Sequence, residues 1–213
     1  MGCLALFVLL LIALPIIFVL VFLNVVTISF GKLGLSQEAA IVLLLATLIG
    51  SLINIPVSRR RVVLEEPRSS FRRFFFYVPP RVSEQVLAVN VGGALIPVVF
   101  AAYLMPRAPL QPTLIALGVI IIVTRFISRP VRGMGIVMPA WIAPLLSAGL
   151  AFLLSRDNPA PVAYISGTIG TLIGADLLHW PDFNKLGAQF ISIGGAGVFD
   201  GIFITGIIAV LIA

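Results

Sequence analysis

The chain has 213 residues, a net charge of +6 and only 10% charged residues against 60% hydrophobic ones. Its mean hydropathy of +1.18 excludes a soluble domain of this size, which would need far more polar surface. Apolar runs long enough to cross a bilayer recur along the chain, so it reads as a multi-pass membrane protein.

The runs are too continuous for the alternating pattern of a β-barrel, and helices close their own backbone hydrogen bonds. The expectation is an all-α polytopic membrane protein with about seven transmembrane helices. The positive charge does not point to nucleic acid, because the arginines sit in loops between spans, where basic residues set topology. One cysteine excludes an internal disulfide, and with the one histidine it makes no usual zinc site. No metal or cofactor is expected. The segment after Met1 lacks a basic stretch and a small-residue cleavage site, so it reads as a retained helix.

The first span covers about Cys3 to Phe30, with Pro15 as a kink site, and the second about Ala39 to Val57. Between Ser58 and Gln85 lies a polar segment with seven arginines and three glutamates. The third span is about Val86 to Met105 and the fourth about Thr113 to Ser128. The fifth is about Gly135 to Ser155, the sixth about Val162 to Trp180 and the seventh about Phe190 to Ala213. Residues 1–213 form one transmembrane domain in this reading, with 58–85 a basic, aromatic loop. Arginines in 58–85 and at 125, 129 and 132 fall on one side, read as cytoplasmic by the positive-inside rule. The N-terminus is then cytoplasmic and the C-terminus outside. "FRRFFFY" in the loop mixes charge and aromatics, so Arg72, Arg73 and Phe74 are candidates for contact with anionic lipid; an ordinary basic loop is the plainer reading.

Ionisable groups inside spans are costly and each needs a reason. Arg125 lies near a span end and can snorkel. Asn24, Asn54 and Asn90 can bond across helices. Asp176 in "GTIGTLIGADLLHW" and Asp200 in "GGAGVFDGIF" are the exceptions. A helix starting at Phe190 puts Asp200 about 15 Å in, near mid-bilayer, and Asp176 about 6 Å from the Trp180 end. His179 follows Asp176 by three residues, so an Asp176–His179 contact at the boundary is one reading, and a solvated interfacial histidine is the plainer one. Gly167, Gly170 and Gly174 in span six, and Gly194, Gly197 and Gly201 in span seven, share the spacing G-x-x-G-x-x-x-G. Each set forms one helix face that admits a neighbouring backbone, so these two helices should pack through at least one stripe. On the same wheel Asp200 flanks its stripe and Asp176 points nearly opposite its own.

An internal echo accompanies these motifs. "TLIGS" (47–51) matches "TLIGA" (171–175), and "NVGGA" (90–94) matches "SIGGA" (192–196), in the same order. A parallel repeat of spans two and three in spans six and seven would leave such a trace. The acids belong to the second copy alone, with Leu52 and Val98 at the matching positions.

The segments "VNVGGALIP", "RPVRGMGIVMPA", "APVAYISGTIGTLIGADLL" and "SIGGAGVFDGIF" resemble a prokaryotic multi-pass membrane family of unknown function. The resemblance covers most of the chain from about residue 89. It implies a bacterial or archaeal inner-membrane setting and brings no activity. A looser, positional resemblance links Asp176 and Asp200 to presenilin-like intramembrane aspartyl proteases, which place one aspartate on each of two neighbouring helices. "GAGVFDG" departs from that family's G-x-G-D, and Asp176 lacks its preceding tyrosine.

Three functions follow. The favoured one is a small transporter or proton- or cation-coupled carrier using Asp200, with Asp176, Asn90, Asn54 and His179 as neighbours. The second is a protease in which Asp176 and Asp200 share a proton and activate water. The third is a structural membrane subunit. No P-loop, dinucleotide fingerprint or nucleophile elbow points to a soluble enzyme.

Overall fold

The computed structural model describes residues 2–64, 81–131, 135–186, 190–195 and 199–213. Helix α1 (Gly2–Lys32) runs unbroken through Pro15. A short turn leads to α2 (Gln37–Ser51), where the Ser36 hydroxyl accepts from the Ala39 amide at 3.2 Å and caps the helix. Strands β1 (Asn54–Leu64) and β2 (Arg81–Asn90) follow as an antiparallel pair. A single wide turn, Val91–Leu95, then opens α3 (Ile96–Leu104), and Met105–Arg107 closes it as a tight turn. Next come α4 (Leu110–Ile127), the small pair β3 (Arg129–Val131) and β4 (Gly135–Val137), and α5 (Ile142–Leu154). Helix α6 (Pro159–Thr171) passes through a wide turn at Leu172–Asp176 into a 3-10 segment, Leu177–Leu186. The chain ends with β5 (Phe190–Ile193) and α7 (Phe199–Ile212).

Three helical segments are long and apolar enough to cross a membrane: Ala13–Lys32, Leu110–Ile127 and Pro159–Pro181. The first two bury about a fifth of their length or less, while the third is 78% buried. Large apolar side chains such as Phe18 and Phe126, 70% and 81% exposed, cover the outside. That surface suits lipid. The buried axis is α6, flanked by α3, α4, α5 and α7. Small and hydroxylic residues make up most of it, and Ser166 and Thr168 close their hydroxyls onto Val162 and Tyr164 carbonyls at 2.7 Å. Small residues let neighbouring backbones approach, which is how helices pack without a hydrophobic drive.

The sheet corrects the all-α expectation. It has the order β1-β2-β5, with β5 parallel to β2. The second span does not continue to Val57, because α2 stops at Ser51 and the chain is extended from Asn54. Pro56 explains this locally: it has no amide to donate and forces the preceding residue out of helical geometry. The third span likewise begins as strand, and helix starts only at Val91. The seventh begins as strand at Phe190, and Gly194 at φ +68° turns the chain before α7. The fifth span's first residues, Gly135–Val137, are strand as well. The segment 58–85 is not simply a loop, since 58–64 and 81–85 extend the hairpin. Span six runs on past its expected end at Trp180, as the 3-10 segment.

The glycine stripes divide. A Cβ at Gly167 would lie 2.7 Å from Thr205 of α7, while Gly170 and Gly174 press on Ile120, Ile121 and Thr124 of α4. Span six therefore meets span seven at one end of its stripe and α4 along the rest. Gly194 precedes α7 and is not on a helix face. The surroundings of Gly197 and Gly201 lie outside the described residues.

Candidate functional site

One end of the molecule is tied by two hydrogen bonds, Lys32 Nζ to the Leu211 carbonyl at 2.8 Å and Asn158 Nδ2 to the Arg107 carbonyl at 2.9 Å. Just beneath it, Phe30, Phe100 and Tyr164 stack edge to face, with ring centres 5.0 to 6.3 Å apart. Measured from this end, α2 extends about 22 Å, Val91–Arg107 about 25 Å and α7 about 20 Å. None spans a hydrocarbon core of about 30 Å. At their far ends strands take over.

The strand-to-helix breaks lie side by side. In β2 and β5, Ala88 pairs with Ser192 and Val89 with Ile193, and each strand then passes into a helix running toward the Arg107 end. These are the two halves of the "GGA" echo, now spatial neighbours with the same element order and direction. Asn90 stitches the first break. Its Oδ1 accepts from the Gly93 amide at 2.7 Å, and its Nδ2 donates to the Ser51 carbonyl at 2.7 Å and to Asn54 Oδ1 at 3.1 Å. Ser192 donates to the same Asn54 oxygen, joining β5 to β1. Asn90→Ala should therefore lower stability by about 1 kcal/mol for the lost cap alone, read as a lower unfolding temperature in detergent. An unchanged temperature would show that the stitch is idle.

Asp176 joins the second break. It is 3% exposed, and its Oδ2 accepts from the Gly194 amide at 2.7 Å. That is the one hydrogen bond its carboxyl makes among the described residues. Gly194 cannot be replaced without strain: beyond its φ of +68°, a Cβ there would come 2.7 Å from the Gly93 carbonyl carbon.

His179 does not contact Asp176. Instead Arg125 Nη1 lies 2.6 Å from His179 Nε2. A guanidinium has only donors, so Nε2 carries the lone pair and Nδ1 the proton. His179 Nδ1 is buried without a partner among the described residues. Arg125 is thus a structural partner and not merely a snorkelling charge.

Of the residues singled out in the sequence, Asp176, Asn90 and Asn54 converge on the junction. Asn24 does not bond across helices; it donates back to the Leu20 carbonyl at 2.8 Å. Asp200 stands in the first turn of α7, not ten residues into a helix that begins at Phe190. Its side chain, and with it the Asp176–Asp200 separation, lies outside the described residues, as do Arg72, Arg73 and Phe74. Ser192, Gly50 and Gly92 were not singled out as site residues. The "GG" dipeptide at Gly92–Gly93 is the signal that marks Gly92, and nothing in the sequence marks Gly50 or Ser192.

One family profile matches residues 48–212 and is described as "Protein of unknown function (DUF1614)". The chain belongs to this family. The DUF1614 region begins within α2 and holds the whole junction, while α1 precedes it. This agrees with the resemblance to an uncharacterised family. No curated protein and no solved structure matches the chain.

Proposed function

We propose that this DUF1614 protein is a small membrane carrier coupled to protons or cations, with Asp176 and Asp200 as its carboxylates. The observation that supports this reading is the Asp176 carboxyl bonded to Gly194 where helices give way to strands. Irregular backbone at membrane depth is tolerated only where protein buries it or a wet cavity meets it. Carriers use such breaks at their binding sites, and acids placed there exchange ions. Ionised Asp176 holds the Gly194 amide by a charge-assisted bond, which weakens when the carboxyl is protonated. Proton binding thereby loosens the β5–α7 connection, and proton release tightens it. Asp200, in the first turn of α7, lies on the element that this bond restrains.

The remaining expectations fit the same picture. The hairpin side faces the cytoplasm of a bacterial or archaeal cell, its inner membrane holds the protein, and Arg72, Arg73 and Phe74 meet anionic lipid. The test is proton flux in vesicles containing the purified full chain and a pH-sensitive dye, under an imposed gradient. The wild type should exceed empty vesicles clearly, and Asp200→Asn should lose at least about tenfold. Flux equal to empty vesicles would reject the carrier. If such a preparation also cleaved a transmembrane peptide, with both aspartates required, a protease would replace it.

A further inference from the structure

Buried hydroxyls on helices usually close onto a carbonyl one turn back, as Thr168 and Thr124 do here. Thr171 and Thr205 do not. Both are fully buried, and neither Oγ1 has a partner among the described residues. They sit on facing helices. On the α6 wheel Thr171 lies about 40° from Gly167 and about 20° from Tyr164. Those two positions touch α7, at Thr205 and Gly206 respectively. Thr171 therefore faces α7 as well, one turn nearer the junction than the Gly167–Thr205 contact. Asp176 follows five residues later, and the Phe30–Phe100–Tyr164 cluster closes the opposite end. Along the axis the order is aromatic closure, Thr205, Thr171 and then, in the wide turn beyond α6, Asp176.

Two buried hydroxyls without partners are costly unless something polar reaches them, and ordered water is the usual solution. We propose that Thr171 and Thr205 hold ordered water in this seam and that this water is the proton path between Asp176 and the aromatic closure. The proposal rests on the carrier reading and names its coupling ion as the proton. Each hydroxyl takes a proton from the water behind it and gives its own to the water ahead, so one proton moves and no bond stays broken.

The experiment uses the full chain in vesicles and compares Thr171→Val, Thr205→Val, the double variant and Thr171→Ser. Valine keeps the shape and removes the hydroxyl. The double variant should lose at least about tenfold in proton flux, and serine should restore most of it. A second readout, water-to-threonine magnetisation transfer in the membrane-embedded protein, should be fast at both residues. Full flux in the double variant, with flux still lost in Asp176→Asn, overturns the relay and leaves the carrier standing. Sodium-driven flux without proton movement also overturns it. If the wild type carries no ion at all, the carrier reading falls; magnetisation transfer alone then decides the water site, and its absence overturns that too.

Discussion

Gly92→Ala is expected to destabilise the fold by about 3 kcal/mol or more, seen as a large drop in the unfolding temperature of the purified protein in detergent. A Cβ at Gly92 would overlap the Thr47 carbonyl oxygen and the Ser51 amide, and would come 2.9 Å from the Gly50 carbonyl carbon. All three are backbone atoms at the end of α2, so no side chain can swing away. Gly50 mirrors the contact: its own Cβ would meet the Gly92 amide at 3.0 Å. The wide turn that opens α3 thus lies directly on the last turn of α2. Moving it would also strain the Asn90 bonds to Ser51 and Gly93. Gly118→Ala in α4 is the control, because nothing lies within 4 Å of a Cβ there. It should be neutral or stabilising by up to about 1 kcal/mol, as alanine is the better helix former. Equal stability of the two variants would show that α2 and α3 do not touch as described.

The second large effect concerns Asp176. Asp176→Leu should destabilise by about 1–3 kcal/mol, because it leaves the buried Gly194 amide without its acceptor. Asp176→Asn keeps an acceptor oxygen in nearly the same place and should fold close to normally. The pair separates two roles of one side chain. If only holding Gly194 mattered, asparagine would serve as well as aspartate in every assay. If exchanging a proton matters, asparagine keeps the fold and loses transport, since an amide does not titrate in this range. Thermal unfolding of both variants checks the first part: similar losses for leucine and asparagine would show that the Gly194 bond contributes little.

Composition and apolar run length point to membrane-crossing helices, and three helical segments are long and apolar enough to cross, where the sequence leads to an expectation of about seven. Span one and span four stand close to their expected limits, because nothing in "LVFLNVVTISF" or "TLIALGVIIIVTRF" interrupts a helix. The strands were hidden for a physical reason. Residues such as "VLAVN" and "FISI" are apolar, and a short apolar run in a membrane chain looks alike whether it continues a helix or pairs as strand. What separates them is the partner: β5 is strand because β2 lies beside it. Pro56 and the Gly194–Gly195 pair are break signals in the sequence, yet a proline or glycine in a membrane helix is often tolerated.

The site was legible in part. Asp176, Asn54 and Asn90 stood out because polar groups are expensive in these surroundings, and they do converge. The partner of Asp176 did not stand out, since Gly194 contributes a backbone amide, which no side-chain pattern encodes. The glycine spacing pointed to close packing but could not name the neighbour. At Gly170 and Gly174 that neighbour is α4, whose Thr124 hydroxyl also reaches the Gly170 carbonyl at 3.3 Å. The "GGA" echo proved more informative than its length suggested, because its two halves became adjacent strand-to-helix breaks.

The central claim is that Asp176, held at the helix break by Gly194, exchanges the coupling proton. Proton uptake into vesicles by wild type and Asp176→Asn, measured side by side on equally folded protein, tests it most directly. A loss of at least about tenfold in the asparagine variant is the expected result. Undiminished uptake in that variant would contradict it.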